Sequence, residues 1–163
     1  MPKRIEPAAG QESVWDFPRP AIAQPVASRL KVIFGGQILA ETFRGVRTIE
    51  TSHPPTYYFP PQDVDMRLLF AHTRRSFCEW KGQAGYFDIV SGEKRVEAAA
   101  WSYAQPTEPF SSIRGHLAFY PALMDACFVD DELARPQPGG FYGGWITSKF
   151  VGPFKGGPET LGW

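Results

Sequence analysis

Hydrophobic and polar positions along the chain fall into short β-rich runs separated by turn residues. Leu30 to Phe34 (LKVIF), the pair Gly35-Gly36 and then Gln37 to Phe43 (QILAETF) read as a β-hairpin, because two strand-like runs flank a glycine pair able to make the tight turn. Val46 to Glu50 predicts a third strand, and Asp65 to Phe70 another. Cys78 to Gly82 (CEWKG) is a turn-containing segment that feeds Tyr86 to Val90 (YFDIV). Ser91 to Lys94 then turns the chain back along Arg95 to Tyr103 (RVEAAAWSY), a second hairpin by the same argument. Pro106 and Pro109 close that strand, and Ser111 to Gly115 has room for one helical turn at most. His116 to Tyr120 and Ala126 to Val129 read as the last core strands, with Asp130-Asp131 at a turn.

These elements predict a mainly β fold: a compact single domain of antiparallel hairpins over residues 29–135, with an arm at 1–28 and a tail at 136–163. Prolines at 2, 7, 18, 20 and 25 deny the arm a long helix, yet Val14, Trp15 and Phe17 are too apolar for solvent and are expected to dock. The tail is too rich in glycine and proline for a helix and too aromatic for a solvated linker, so it is expected to wrap the domain in an ordered path.

Composition sharpens this picture. Aromatic residues make up 15% of the chain beside 16 glycines and 16 prolines, a composition of strands, turns and ring-lined surfaces. With 17 basic and 17 acidic residues there is no positive excess for nucleic-acid phosphates to exploit, which argues against that partner. No apolar run reaches membrane-span length and the N-terminal stretch lacks a signal-peptide core, so a cytoplasmic, non-membrane protein is expected. Cys78 and Cys127 have no CxxC spacing, so neither a disulfide framework nor a cysteine zinc site is announced.

Candidate chemistry gathers on Glu50 to Val64, ETSHPPTYYFPPQDV. Pro54, Pro55, Pro60 and Pro61 stiffen it, which suits either a loop that presents side chains to a ligand or a corner that closes one end of a sheet. In the second reading Tyr57, Tyr58 and Phe59 alternate between core and solvent. Glu50 and His53, three residues apart, fit an oriented acid–base pair, since a carboxylate on one imidazole nitrogen sets the tautomer of the other; alternatively His53 caps the turn. Lys81, fixed before Gly82 near a cluster of rings, suits a carboxylate or phosphate, or is a solvated turn lysine. Cys78, close to Lys81, is either an activated thiol or a small buried hydrophobe.

Trp101 and Tyr103 project from one face of their strand. If Tyr86, Trp80, Tyr57 and Tyr58 share that face, an aromatic cleft results with Glu50 and Lys81 as its polar groups; if not, these rings are simply core. His72 and His116 are isolated, and no spacing advertises a metal site. Gly139-Gly140 and Gly143-Gly144 lack the context of a phosphate loop, and Lys3-Arg4 and Arg74-Arg75 are too few for a nucleic-acid stripe.

ETSHPPTYYFPPQDV (50–64), CEWKGQAGYFDI (78–89), AAAWSYAQP (98–106) and GHLAFYP (115–121) together resemble the family known as domain of unknown function 427, over roughly Lys31 to Leu133. The resemblance implies a compact β domain similar in outline to the β-tent architecture of zinc-holding ligand-binding domains. Two separated cysteines depart from that zinc pattern, and Cys78-Glu79-Trp80-Lys81-Gly82 stands where many members have Cys-Pro-Tyr-Lys-Gly. A nucleotidyltransferase label sometimes attached to the family finds only the Asp63-Val-Asp65 carboxylate spacing here, with no triphosphate-holding segment before it.

The expected function is a small-molecule pocket between the 50–64 loop and the 98–103 strand. Glu50 and His53 would be its acid–base groups, Lys81 its anion-binding group, and Tyr57, Tyr58, Trp80, Tyr86, Trp101 and Tyr103 its ligand-binding rings. The alternative is a non-catalytic binding or interaction module on the same surface with the tail over its mouth. A homodimer through arm or tail is open, and the sequence names no cofactor.

Overall fold

The computed structural model describes residues 2–163. Gly35 and Gly36 both take positive φ, 62° and 74°, the conformation a two-residue hairpin loop demands, and they pair Phe34 with Gln37. Leu30, Val32 and Phe34 on one face of the Leu30–Phe34 strand are fully buried, while Lys31 and Ile33 on the other are half-exposed. Ala126–Val129 adds to the free side of this strand and Glu132–Leu133 follows it, so the hairpin grows into a four-stranded antiparallel sheet.

A second antiparallel sheet runs Ala118–Phe119, Lys94–Ser102, Gly82–Ser91 and Leu69–Cys78 in spatial order. Its last strand differs from the expected Asp65 to Phe70. Asp65 instead caps a 3-10 turn at Met66–Leu68 by accepting from the Arg67 N–H, and the strand starts at Leu69 and runs on to Cys78. Its middle, His72-Thr73-Arg74-Arg75-Ser76, is polar because this is the sheet's edge and its outer face meets solvent, so hydrophobic patterning carries no trace of it. His116 to Tyr120 also pairs over less than its expected length: only Ala118 and Phe119 join the sheet. The 3-10 segment Glu108–Ile113 lies ahead of the single turn expected at Ser111 to Gly115.

The third sheet is the one that positions the quoted loop. Ile22–Val26, within the stretch expected as an arm, pairs antiparallel with Gly45–Ile49, whose other side takes Thr56–Tyr58. One residue later Phe59 and Leu117 exchange backbone N–H···O bonds of 2.8 Å, tying the loop to the second sheet. Tyr57, Tyr58 and Phe59 therefore do alternate, but between two cores rather than core and solvent. Tyr57 and Phe59 enter the larger core beside Trp145, and Tyr58 enters a second one with Tyr86, Trp101, Tyr103 and Phe110.

Both ends of the chain pack on this frame. Val14, Trp15 and Phe17 are buried with Ile49 and Phe150, and the Trp15 indole N–H donates to the Pro153 carbonyl at 2.8 Å. Glu12–Ser13 pairs in parallel with Phe150–Val151, and Arg135–Pro136 pairs with Trp145–Ile146. The architecture is thus mainly β, of several antiparallel sheets, the second and third of which are joined at the Thr56–Phe59 segment.

Candidate functional site

A cavity of about 230 Å³ lies where the third sheet, the second sheet and the C-terminal tail meet. Strand geometry explains its ring wall. Trp101 and Tyr103 are two residues apart and share a face, and Tyr86 is the cross-strand partner of Trp101, so three rings line one side. Tyr58 reaches them from the third sheet: its hydroxyl accepts from the Trp101 indole N–H at 3.3 Å, with the rings near-perpendicular at 88°. Glu50 and His53 enter from the end of the Gly45–Ile49 strand and the turn after it, and Lys81 from the turn joining Leu69–Cys78 to Gly82–Ser91.

Seven of the nine residues singled out in the sequence thus face one cavity: Glu50, His53, Lys81, Tyr58, Tyr86, Trp101 and Tyr103. Tyr57 and Trp80 do not. Tyr57, one residue before Tyr58 on a strand, points the opposite way, with its ring 5.1 Å from that of Trp145 in the larger core. Trp80 sits half-buried against the second core without lining the cavity, because the Glu79 to Lys81 turn aims only Lys81 inward.

The polar centre has a defined protonation pattern. The Gln137 side chain accepts from the Gly144 N–H at 3.2 Å and donates to the Lys155 carbonyl at 2.7 Å. Those two partners fix which end of the amide is nitrogen, and that nitrogen also lies 3.0 Å from His53 Nδ1. Nδ1 must therefore accept, which leaves the ring proton on Nε2, facing Glu50 Oε2 at 3.6 Å. Burial, reinforced by the positive charges of Lys155, Lys81 and Arg19, pushes the His53 pKa down to about 4, so the ring is neutral at pH 7. Burial also pushes the Glu50 carboxyl above its usual range, against the opposing influence of Lys81, Arg19 and Lys155. The phenols of Tyr58 and Tyr103 are pushed up by burial and stay protonated.

On the remaining wall, Lys81 Nζ lies 3.8 Å from the half-buried Cys78 sulfur and 5.6 Å from the centre of the Phe110 ring. The Ser76 and Tyr86 hydroxyls are hydrogen-bonded at 2.8 Å. Tyr120 packs its ring 4.5 Å from Trp101, and Tyr142 sets its ring edge-on to His53 at 4.7 Å. Gly143 lies so close to Trp101 that a Cβ there would clash with the indole.

A family described as Domain of unknown function (DUF427) matches residues 22–130. The chain belongs to this family. The comparison with curated proteins finds no match. The DUF427 segment holds Glu50, His53, Lys81 and the rings from Tyr58 to Tyr120, whereas Gln137, Phe141, Tyr142 and Gly143 lie beyond its matched end. The wall that fixes the His53 tautomer is thus added to the DUF427 domain by the tail.

Gln137 is the residue that the sequence did not disclose. It is 3% exposed and lies 84 positions from the histidine it orients, inside a glycine- and proline-rich run with no periodic signal. The Asp63-Val-Asp65 pair does not form a shared site: Asp63 takes a two-pronged contact from Arg44 and the Thr42 hydroxyl, and Asp65 takes Arg67. Those arginines hold both carboxyls below their usual range. His72 accepts from the Arg74 N–H at 2.9 Å and His116 contacts the Arg114 carbonyl at 3.1 Å, both outside the cavity. Among the described residues no three His, Cys, Asp or Glu side chains gather as a metal cluster, and no helix is long and apolar enough to cross a membrane.

Proposed function

We propose that the cavity binds a small ring-bearing anion, with Glu50 as the group that exchanges protons with it. The observation that supports this reading is the convergence of Lys81, Glu50 and six tyrosine or tryptophan side chains from several separate chain segments on one partly open cavity. Size limits the ligand. A cavity of about 150 Å³ holds benzene and drug-sized pockets begin near 300 Å³, so about 230 Å³ suits one ring with one or two polar substituents. Lys81, Arg19 and Lys155 all act on Glu50 and His53, and this positive surrounding favours an anionic substituent.

His53 has Nδ1 committed to Gln137 and is neutral, so it serves as an N–H donor facing Glu50 rather than as the proton carrier. Glu50, raised by burial and beside Lys81, is the better matched acid–base group. Ligand-detected NMR with benzoate, phenyl phosphate, benzylamine and cyclohexanol tests the binding. Benzoate or phenyl phosphate should show saturation transfer that Lys81→Ala abolishes, and benzylamine none. Equal signals from all four, or none from either anion, would overturn the reading.

A further inference from the structure

A second cavity of about 210 Å³ lies behind the first and shares three of its walls: Tyr120, Gln137 and Tyr142. Its far side is apolar, formed by Ala98, Pro121 and Leu123, with Arg74 and Glu97 as its charged groups. We infer that the two cavities are chambers of one ligand site and that the second takes an apolar or aromatic extension of the anion held in the first. This rests on the reading of the first chamber given above.

Two independent features support it. The first is the backbone that shapes the second chamber. Along the paired strands Phe87 faces Ala100 and Ile89 faces Val96, so Asp88 alone opposes Glu97, Ala98 and Ala99, a bulge that turns Glu97 and Ala98 into the chamber wall. Ala98 carries a φ of 48°, a left-handed conformation that an alanine rarely adopts. The buried Asp88 carboxylate holds it there by accepting from the Ala98 N–H at 2.9 Å and from Arg95 at 2.8 Å. Strain of this kind persists where the surroundings over-determine it, and here its product is the hollow itself.

The second feature is the partition. Tyr142 stands on a loop whose base is closed by two Gln137–Gly144 hydrogen bonds, of 3.0 and 3.2 Å. Gly139 and Gly140 precede Phe141-Tyr142 and Gly143 follows, and Phe141 at the tip is 63% exposed. Among the described residues the one hydrogen bond that reaches the tip from outside is Tyr120 Oη donating to the Phe141 carbonyl at 3.4 Å, a long bond, and the Tyr142 ring otherwise rests edge-on against His53. Displacing the Tyr142 ring joins the chambers into a space within the roughly 300–1,000 Å³ range of ordinary ligand pockets. At their junction the Arg74 guanidinium lies 4.5 Å from the centre of the Tyr86 ring, a cationic lining for a second aromatic unit.

The test titrates the full chain calorimetrically with benzoate, which one chamber accommodates, and with 4-phenylbenzoate, which needs both. Ala122, exposed on the rim of the second chamber, and Leu123 beside it are each replaced by Trp to fill that space without disturbing the first. Each variant is expected to weaken 4-phenylbenzoate at least tenfold and to leave benzoate within twofold of wild type. Wild-type affinity for 4-phenylbenzoate in both variants overturns the two-chamber inference, while benzoate binding that still requires Lys81 upholds the first chamber. Absence of binding by either carboxylate overturns both.

Discussion

At the scale of single residues, two buried groups have consequences that can be measured. Neutral His53 holds fewer protons than the same ring in the unfolded chain between its ordinary pKa of 6.5 and its folded value of about 4. Its contribution therefore lowers stability as pH falls through that window, by on the order of 3 kcal/mol in all. Glu50, raised in the fold, acts in the opposite sense, gaining stability on acidification, so the two partly cancel. Comparing urea unfolding of wild type and His53→Gln from pH 7 to pH 4 isolates the histidine. The variant should lose less stability over that range, and parallel curves would contradict a buried neutral ring. Replacing Gln137 by Ala removes the donor to Nδ1, so the NMR-monitored His53 titration should move up from about 4.

Ser52 is a second case. It is fully buried, has a φ of 73°, and its hydroxyl has no hydrogen-bond partner among the described residues. Ser52→Gly relieves a left-handed conformation that costs an L-residue roughly 1–2 kcal/mol and removes an orphan hydroxyl, against roughly 0.5–1 kcal/mol of added chain entropy. A net gain of about 1 kcal/mol in urea unfolding is expected, and a loss would contradict it.

At the scale of elements, the hairpins were legible because their signals are local: paired glycines with positive φ and buried alternation on Leu30, Val32 and Phe34. The Leu69–Cys78 strand was not, because it is held by backbone pairing along an exposed edge and its polar residues carry no burial pattern. The loop was half legible. Sequence offered Tyr57 and Tyr58 both as ligand-binding rings, or Tyr57 to Phe59 alternating between core and solvent, but both faces of that strand are buried, so no hydrophobic pattern could tell the cavity face of Tyr58 from the core face of Tyr57. Gln137 was invisible because its role exists only once the tail crosses the loop. The tail's glycines carry a prediction of their own. Gly143→Ala places a methyl against the Trp101 indole, so the Trp101 Nε1–H resonance should shift, with its bond to Tyr58 disturbed, while the other indole signals hold their positions.

At the scale of the whole molecule, the tail is part of the fold and part of the cavity wall. Trp145 is fully buried, its ring 5.1 Å from Tyr57 and 6.0 Å from Phe59. Trp145→Ala should cost about 3–5 kcal/mol in urea unfolding, the range for removing a buried aromatic ring, and a cost below about 1 kcal/mol would show the tail to be merely draped on the domain. The DUF427 segment contributes Glu50, Lys81 and most of the rings to the cavity lining, and the tail contributes Gln137 and Tyr142. Crystals soaked in 4-bromobenzoate locate the ligand most directly, through the anomalous scattering of bromine. A peak is expected inside the cavity bounded by Glu50, Lys81, Trp101 and Tyr103, vanishing in Lys81→Ala. Bromine found only elsewhere on the molecule would contradict a binding role for that cavity.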